Sequence, residues 1–64
     1  MNITVNGQST LFSGQTVADL MAEIQPEKPF AVALNARFIG KTNYENTLLN
    51  PNDAIEIVRP VVGG

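Results

Sequence analysis

Only one stretch of this sequence spaces its apolar residues as a helix does. Val17, Leu20, Met21 and Ile24 fall at i, i+3, i+4 and i+7 and share one face, while Asp19, Glu23 and Gln25 point toward water. The other periodic segments, before and after it, alternate with period two, as strands with one buried face do. A lone helix with an apolar stripe must cover a sheet, which makes a two-layer α+β arrangement. With 64 residues there is material for one such domain, and a chain of this size hides roughly 60% of the surface it exposes when unfolded.

Local signals divide the chain. Thr16 and Asp19 have the spacing of a capping box, with Asp in place of the usual Glu or Gln, after a break at Ser13-Gly14-Gln15. Pro26 disfavours helical geometry at Gln25, and with Pro29 it makes 26–29 a loop. Upstream, Met1, Ile3 and Val5 alternate with Asn2, Thr4 and Asn6. Asn6-Gly7 suits a type I′ turn into a second strand over 8–13, with Thr10, Leu11 and Phe12. Downstream, residues 30–34 form a short apolar run, the third strand. Phe38-Ile39 is a brief edge strand before Gly40, Leu48-Leu49 pack under the loop, and Asn50-Pro51-Asn52-Asp53 turns the chain. In the last strand, 54–59, Ile55 and Ile57 lie on one face and Glu56 and Val58 on the other, until Pro60 ends the pairing. The helix permits the crossover that a parallel pairing of first and last strands requires, at the centre of a mixed sheet of four to five strands. Residues 1–59 are thus the domain and 60–64 a flexible C-terminal tail.

Composition excludes several kinds of function. Lys28, Arg37, Lys41 and Arg59 stand against six acidic residues, scattered along a chain of net charge −2, which argues against nucleic-acid binding by phosphate neutralisation. With no His and no Cys, no Gly-rich phosphate loop and no metal-ligand spacing among the carboxylates, the chain is expected to be neither an enzyme nor a holder of its own cofactor or metal. Asp19 and Glu23 are one helical turn apart, the positions of a cap and a solvated face rather than of an acid–base pair. Tyr44 reads as a partly buried packing residue, and Lys28 and Lys41 as ordinary surface lysines open in principle to conjugation. Absence of cysteine, of a basic-then-apolar leader and of any run of ~18 apolar residues predicts a soluble, cytoplasmic protein.

The order of elements, the length and the ending Ile55-Glu56-Ile57-Val58-Arg59-Pro60-Val61-Val62-Gly63-Gly64 resemble the ThiS sulfur carrier proteins. The opening Met1-Asn2-Ile3-Thr4-Val5-Asn6-Gly7, the helix start Thr16-Val17-Ala18-Asp19-Leu20 and Ala31-Val32-Ala33-Leu34-Asn35 extend the likeness over essentially the whole chain. Ile39-Gly40-Lys41 and Asn50-Pro51-Asn52-Asp53 depart from the family's more usual Val-Pro-Arg-like and Asp-Gly-Asp-type segments. The resemblance implies a ubiquitin-like β-grasp fold and a carboxylate on Gly64 that a ThiF-like, ubiquitin-activating-type adenylyltransferase adenylates with its own ATP. Conversion to a thiocarboxylate and delivery of the sulfur to a ThiG-like thiazole synthase, for thiamin, would follow.

The tail suits such a role. Gly63 and Gly64 lack Cβ and can thread a narrow channel, while residues 60–64 extended span about 17 Å. Pro60 stiffens the exit and Val61 and Val62 follow it. A frayed end is the bland alternative; at glycine's usual frequency a chance Gly-Gly at a given terminus arises about 0.5% of the time, so it is the β-grasp pattern beside it that gives the pair weight. If Ile55 and Ile57 face the helix, Val58, Ala31 and Ala33 face away and form an apolar docking surface near the tail. The same fold and tail would equally serve a sulfur carrier for molybdopterin synthesis or tRNA thiolation, or a protein modifier. A β-grasp interaction module whose tail never reacts is the alternative of another class.

Overall fold

A computed structural model describes residues 1–60 of the chain. Asn6 and Gly7 take φ values of 52° and 81°, the left-handed pair that a type I′ turn requires. β1 (Asn2–Val5) and β2 (Gln8–Leu11) therefore close as an antiparallel hairpin. Helix α1 (Val17–Ile24) begins with the expected reciprocal cap. Thr16 Oγ1 accepts from the Asp19 N–H at 3.1 Å, while Asp19 Oδ2 accepts from the N–H groups of Gln15 (3.0 Å) and Thr16 (3.1 Å). The approach to this cap leaves no room for a side chain at Gly14, where a Cβ would stand 2.6 Å from Phe12 Cζ and 2.7 Å from Asp19 Cβ. At the other end Gln25 adopts a left-handed φ of 52° and its N–H donates to the Met21 carbonyl at 2.8 Å, with Pro26 next in the chain.

β3 (Ala31–Leu34) and β4 (Arg37–Ile39) form a second hairpin through Asn35-Ala36, and β5 (Ala54–Val58) completes a sheet of order β2-β1-β5-β3-β4. β1 and β5 run parallel, and β3 is antiparallel to both β4 and β5. The central parallel pair and the single covering helix agree with the sequence expectation. Ile3, Phe12, Val17, Leu20, Met21, Val32, Leu49 and Ile55 form the core, with Val5, Phe30, Leu34, Tyr44 and Ile57 packed at its margin.

Several details differ from expectation. β2 ends at Leu11 rather than at residue 13, and β3 begins at Ala31 rather than at residue 30. Met1 and Ile24 are exposed rather than buried, because they lie at the outer limits of the strand and the helix. Lys41–Asn46 is a 3₁₀ helix; Tyr44 is its only large apolar residue, so no periodicity announces it. Leu49 is buried but Leu48 is exposed. Val17 N–H donates to the Thr47 carbonyl (2.9 Å) and Leu49 N–H to that of Gln15 (2.8 Å), which holds 47–49 extended and turns adjacent side chains to opposite sides. β5 ends at Val58, one residue earlier than expected, and Arg59 turns to Glu27 instead.

β5 is clipped from both sides by the asparagines of the two hairpin turns. Asn6 donates its N–H to the Ile55 carbonyl (2.8 Å) and accepts the Ile57 N–H on Oδ1 (2.8 Å). Its amide thus continues the parallel ladder after β1 has turned away. Asn35 donates its N–H to the Ala54 carbonyl (2.8 Å), accepts the Ala54 N–H on Oδ1 (2.9 Å) and donates from Nδ2 to Asp53 Oδ1 (3.1 Å).

Asn6→Ala removes both the acceptor for Ile57 and a residue tolerant of positive φ, and should lower unfolding stability by about 1–3 kcal/mol, whereas Asn6→Asp should retain most of it. The urea midpoint at constant slope is the measurement, and equal loss in both variants would contradict the clip. Ala36 stands at φ 71°, so Ala36→Gly should relieve left-handed strain of about 1–2 kcal/mol, less the extra freedom glycine has when unfolded, for a net gain of about 0.5–1 kcal/mol. Hydrogen bonds from Gln15 and then Thr16 hold the Asp19 carboxyl below its ordinary value of 3.8. Since the folded value is the lower one, this contribution is complete above 3.8 and disappears as pH falls through the lowered folded value. Asp19→Asn should flatten the acid limb of a plot of Tm against pH; an unchanged limb would refute the assignment.

Candidate functional site

The tail leaves from a strand paired on both sides. Ile55 is 1% exposed and Ile57 half-buried, and the register Ala31↔Val58 places the end of β5 beside the start of β3. Immediately beyond, Arg59 Nη2 donates to Glu27 Oε2 at 2.8 Å, joining the base of the tail to the loop that follows α1. This pair is solvent-exposed, so it steers the chain more than it stabilises the fold. Pro60 is exposed at the exit. Val61, Val62, Gly63 and Gly64, the remaining candidate tail residues, lie outside the described residues.

On the side of the sheet away from α1, strand alternation displays Val58 and Glu56 from β5 with Ala31 and Ala33 from β3, as expected. Val58 is 43% exposed and Ala31 half-buried, but Ala33 is only 5% exposed and serves as floor rather than contact surface. The register also brings Phe38 of β4 opposite Ala33 on this face, 72% exposed. The sequence places Phe38 on an edge strand but leaves its direction open. Its signal lies in the Phe38-Ile39 pair: once Ile39 is paired with Val32 on the helix side, Phe38 must face outward. Phe38, Ala31 and Val58 therefore form an apolar surface around the single charge of Glu56, at and above the tail exit.

The other candidates take structural places. Asp19 is occupied as a helix cap, Glu23 is exposed on α1, and Tyr44 packs at the margin of the core. Among the described residues no three of His, Cys, Asp and Glu gather as a metal site, and no helix is long and apolar enough to cross a membrane. The basic residues, scattered along the sequence, are not scattered in space. The start of β3, the end of β4 and the end of β5 adjoin, so Lys28, Lys41 and Arg59 emerge at the tail end, while Arg37, opposite Leu34, lies at the far end of β3.

Comparison with known proteins agrees with this architecture. A crystal structure of a thiamine biosynthesis protein (ThiS) from Geobacter metallireducens superposes with a TM-score of 0.86 at 26% identity, covering all of both chains. A solution structure of a thiamine biosynthesis protein from the same organism gives a TM-score of 0.79 at 26% identity, over all of this chain and 88% of that one. No curated protein sequence matches. The fold is thus the β-grasp of those structures, and the sequence model of the ThiS family matches residues 3–64, nearly the whole length: the chain belongs to the ThiS family.

Proposed function

We propose that this chain is a sulfur carrier for thiazole formation in thiamin biosynthesis, a co-substrate of partner enzymes, with the carboxylate of Gly64 as its reactive group. The observation that supports this most is the match to the ThiS family through residue 64, on a domain whose central strand leads directly into the Gly63-Gly64 tail. The thiamine biosynthesis role of the similar Geobacter protein points the same way.

A carboxylate is a poor acyl donor because its leaving group would be an oxide. Attack of the Gly64 carboxylate on the α-phosphorus of ATP, bound by a ThiF-like adenylyltransferase, forms the acyl-adenylate and expels pyrophosphate. A sulfide-equivalent nucleophile then adds to the acyl carbon, AMP departs with the electron pair of the broken C–O bond, and a thiocarboxylate remains. A ThiG-like thiazole synthase takes the sulfur. The carrier contributes position: Pro60, Val61, Val62 and Gly63 reach inward, glycine allows close approach to the nucleotide, and the Val58–Ala31–Phe38 surface, floored by Ala33, docks the body against the partner.

Intact-mass analysis after incubation with ATP, an adenylyltransferase of this type and a sulfur source should show exchange of one oxygen for sulfur, located by fragmentation at Gly64. An unmodified terminus would overturn the carrier assignment in favour of a non-reacting interaction module. Val58→Asp should weaken binding to the adenylyltransferase roughly tenfold with little change in Tm, and unchanged affinity would remove Val58 from the docking surface. Copurification of a thiazole synthase is expected; a molybdopterin synthase subunit or a lysine-linked conjugate would redirect the recipient.

A further inference from the structure

The tail end of the molecule carries a second feature, on the helical side of the sheet. Lys28, Pro29, Phe30, Lys41 and Tyr44 line a cavity of about 270 Å³. Its floor is firm, because Phe30 and Tyr44 are half-buried and packed against the core. Its rim is basic: Lys28 and Lys41 are exposed, and neither forms an ion pair among the described residues. Two of the four cations of a chain with net charge −2 thus meet at one hollow. The hollow also adjoins the exit of the tail, since Glu27, the neighbour of Lys28, holds Arg59 at 2.8 Å.

We propose that this groove is a second recognition site, taking an acidic side chain with an apolar neighbour from a surface segment of the partner that receives the tail. Charge complementarity selects the occupant: on an acidic protein an acidic segment is repelled elsewhere and attracted here. The apolar floor of Pro29, Phe30 and Tyr44 selects an acidic residue with an apolar neighbour over a bare anion. The carboxylate sits against the Lys28 ammonium, with the Lys41 charge adding to the attraction at longer range, and the apolar neighbour lies on Pro29, Phe30 and Tyr44. Glu45, beside Lys41 and Tyr44 in the adjoining hollow, limits the acidic contact to the Lys28 side. Because the groove and the Phe38–Val58 surface are on opposite sides of the sheet at the tail end, one partner can grip both while the tail passes between them.

The inference rests on the proposed transfer of the tail to a partner, so its test separates binding from chemistry. Calorimetric titration of a purified ThiF-like adenylyltransferase without ATP is compared for the wild-type chain, Lys28→Glu/Lys41→Glu and Lys28→Arg/Lys41→Arg. The Glu pair should raise Kd roughly tenfold or more and reduce its dependence on salt, while the Arg pair stays close to wild type. Both lysines are exposed, and an unchanged Tm confirms folding. Equal Kd for the Glu pair and wild type at low salt would overturn the groove assignment, whereas wild-type binding without any modification of Gly64 would overturn the carrier function and leave the groove standing. A second arm titrates ATP into the chain alone: no heat is expected, and binding abolished by Lys28→Glu/Lys41→Glu would reassign the groove to a nucleotide.

Discussion

The parallel pairing of β1 with β5 holds the two ends of this chain together, and the remaining elements take their places around it. A parallel pair cannot be closed by a tight turn; it requires a long crossover, which α1 provides by covering the face that Ile3, Val5, Ile55 and Ile57 present. β1 is too short to accompany β5 along its length, because the chain turns at Asn6-Gly7. The Asn6 side chain supplies the missing acceptor at Ile57, and Asn35 performs the corresponding service at Ala54. The strand that leads into the tail is therefore bonded along both edges, with only Arg59 and Pro60 between it and residue 61.

Much of this was legible in the sequence because the deciding signals are local. Asn6-Gly7 specifies its turn by tolerance of positive φ, and Thr16 with Asp19 specifies the helix start by reciprocal hydrogen bonding. Signals that depend on distant partners were not legible. Asn6 bonds a residue 51 positions away, which no local pattern records. Ala36 occupies a left-handed position normally marked by Gly or Asn, so the second hairpin was only partly visible and the direction of Phe38 was lost with it. The 3₁₀ helix Lys41–Asn46 has a single large apolar residue and hence no period. The gathering of Lys28, Lys41 and Arg59 at one end is a product of register, and spacing along the chain gives no hint of it.

The candidate site divides in the same way. Gly63-Gly64 and the family likeness were evident from the residues, as were Val58, Ala31 and Ala33 on the outer face. Burial then separates these three: Val58 offers contact surface, Ala31 less, and Ala33 acts as support between the same-face neighbours Phe38 and Glu56. Chemistry assigned to the tail and recognition assigned to the body are distinct tasks. The body has no His or Cys, and the carboxylates of Asp19 and Asp53 are committed to a helix cap and to the turns beside β5. In the proposed reaction at Gly64 its contribution would be binding energy delivered away from the reacting atoms, which a partner could spend on orienting the terminus.

That division is tested most directly by comparing the whole chain with a synthetic peptide of residues 60–64 as substrates of the adenylyltransferase, following pyrophosphate release. If the body positions the tail, kcat/KM for the folded chain should exceed that for the peptide by far more than roughly tenfold, with kcat falling as well as KM rising for the peptide. Equal kcat/KM for the two would contradict the account, because the fold would then add nothing to the chemistry of its own terminus.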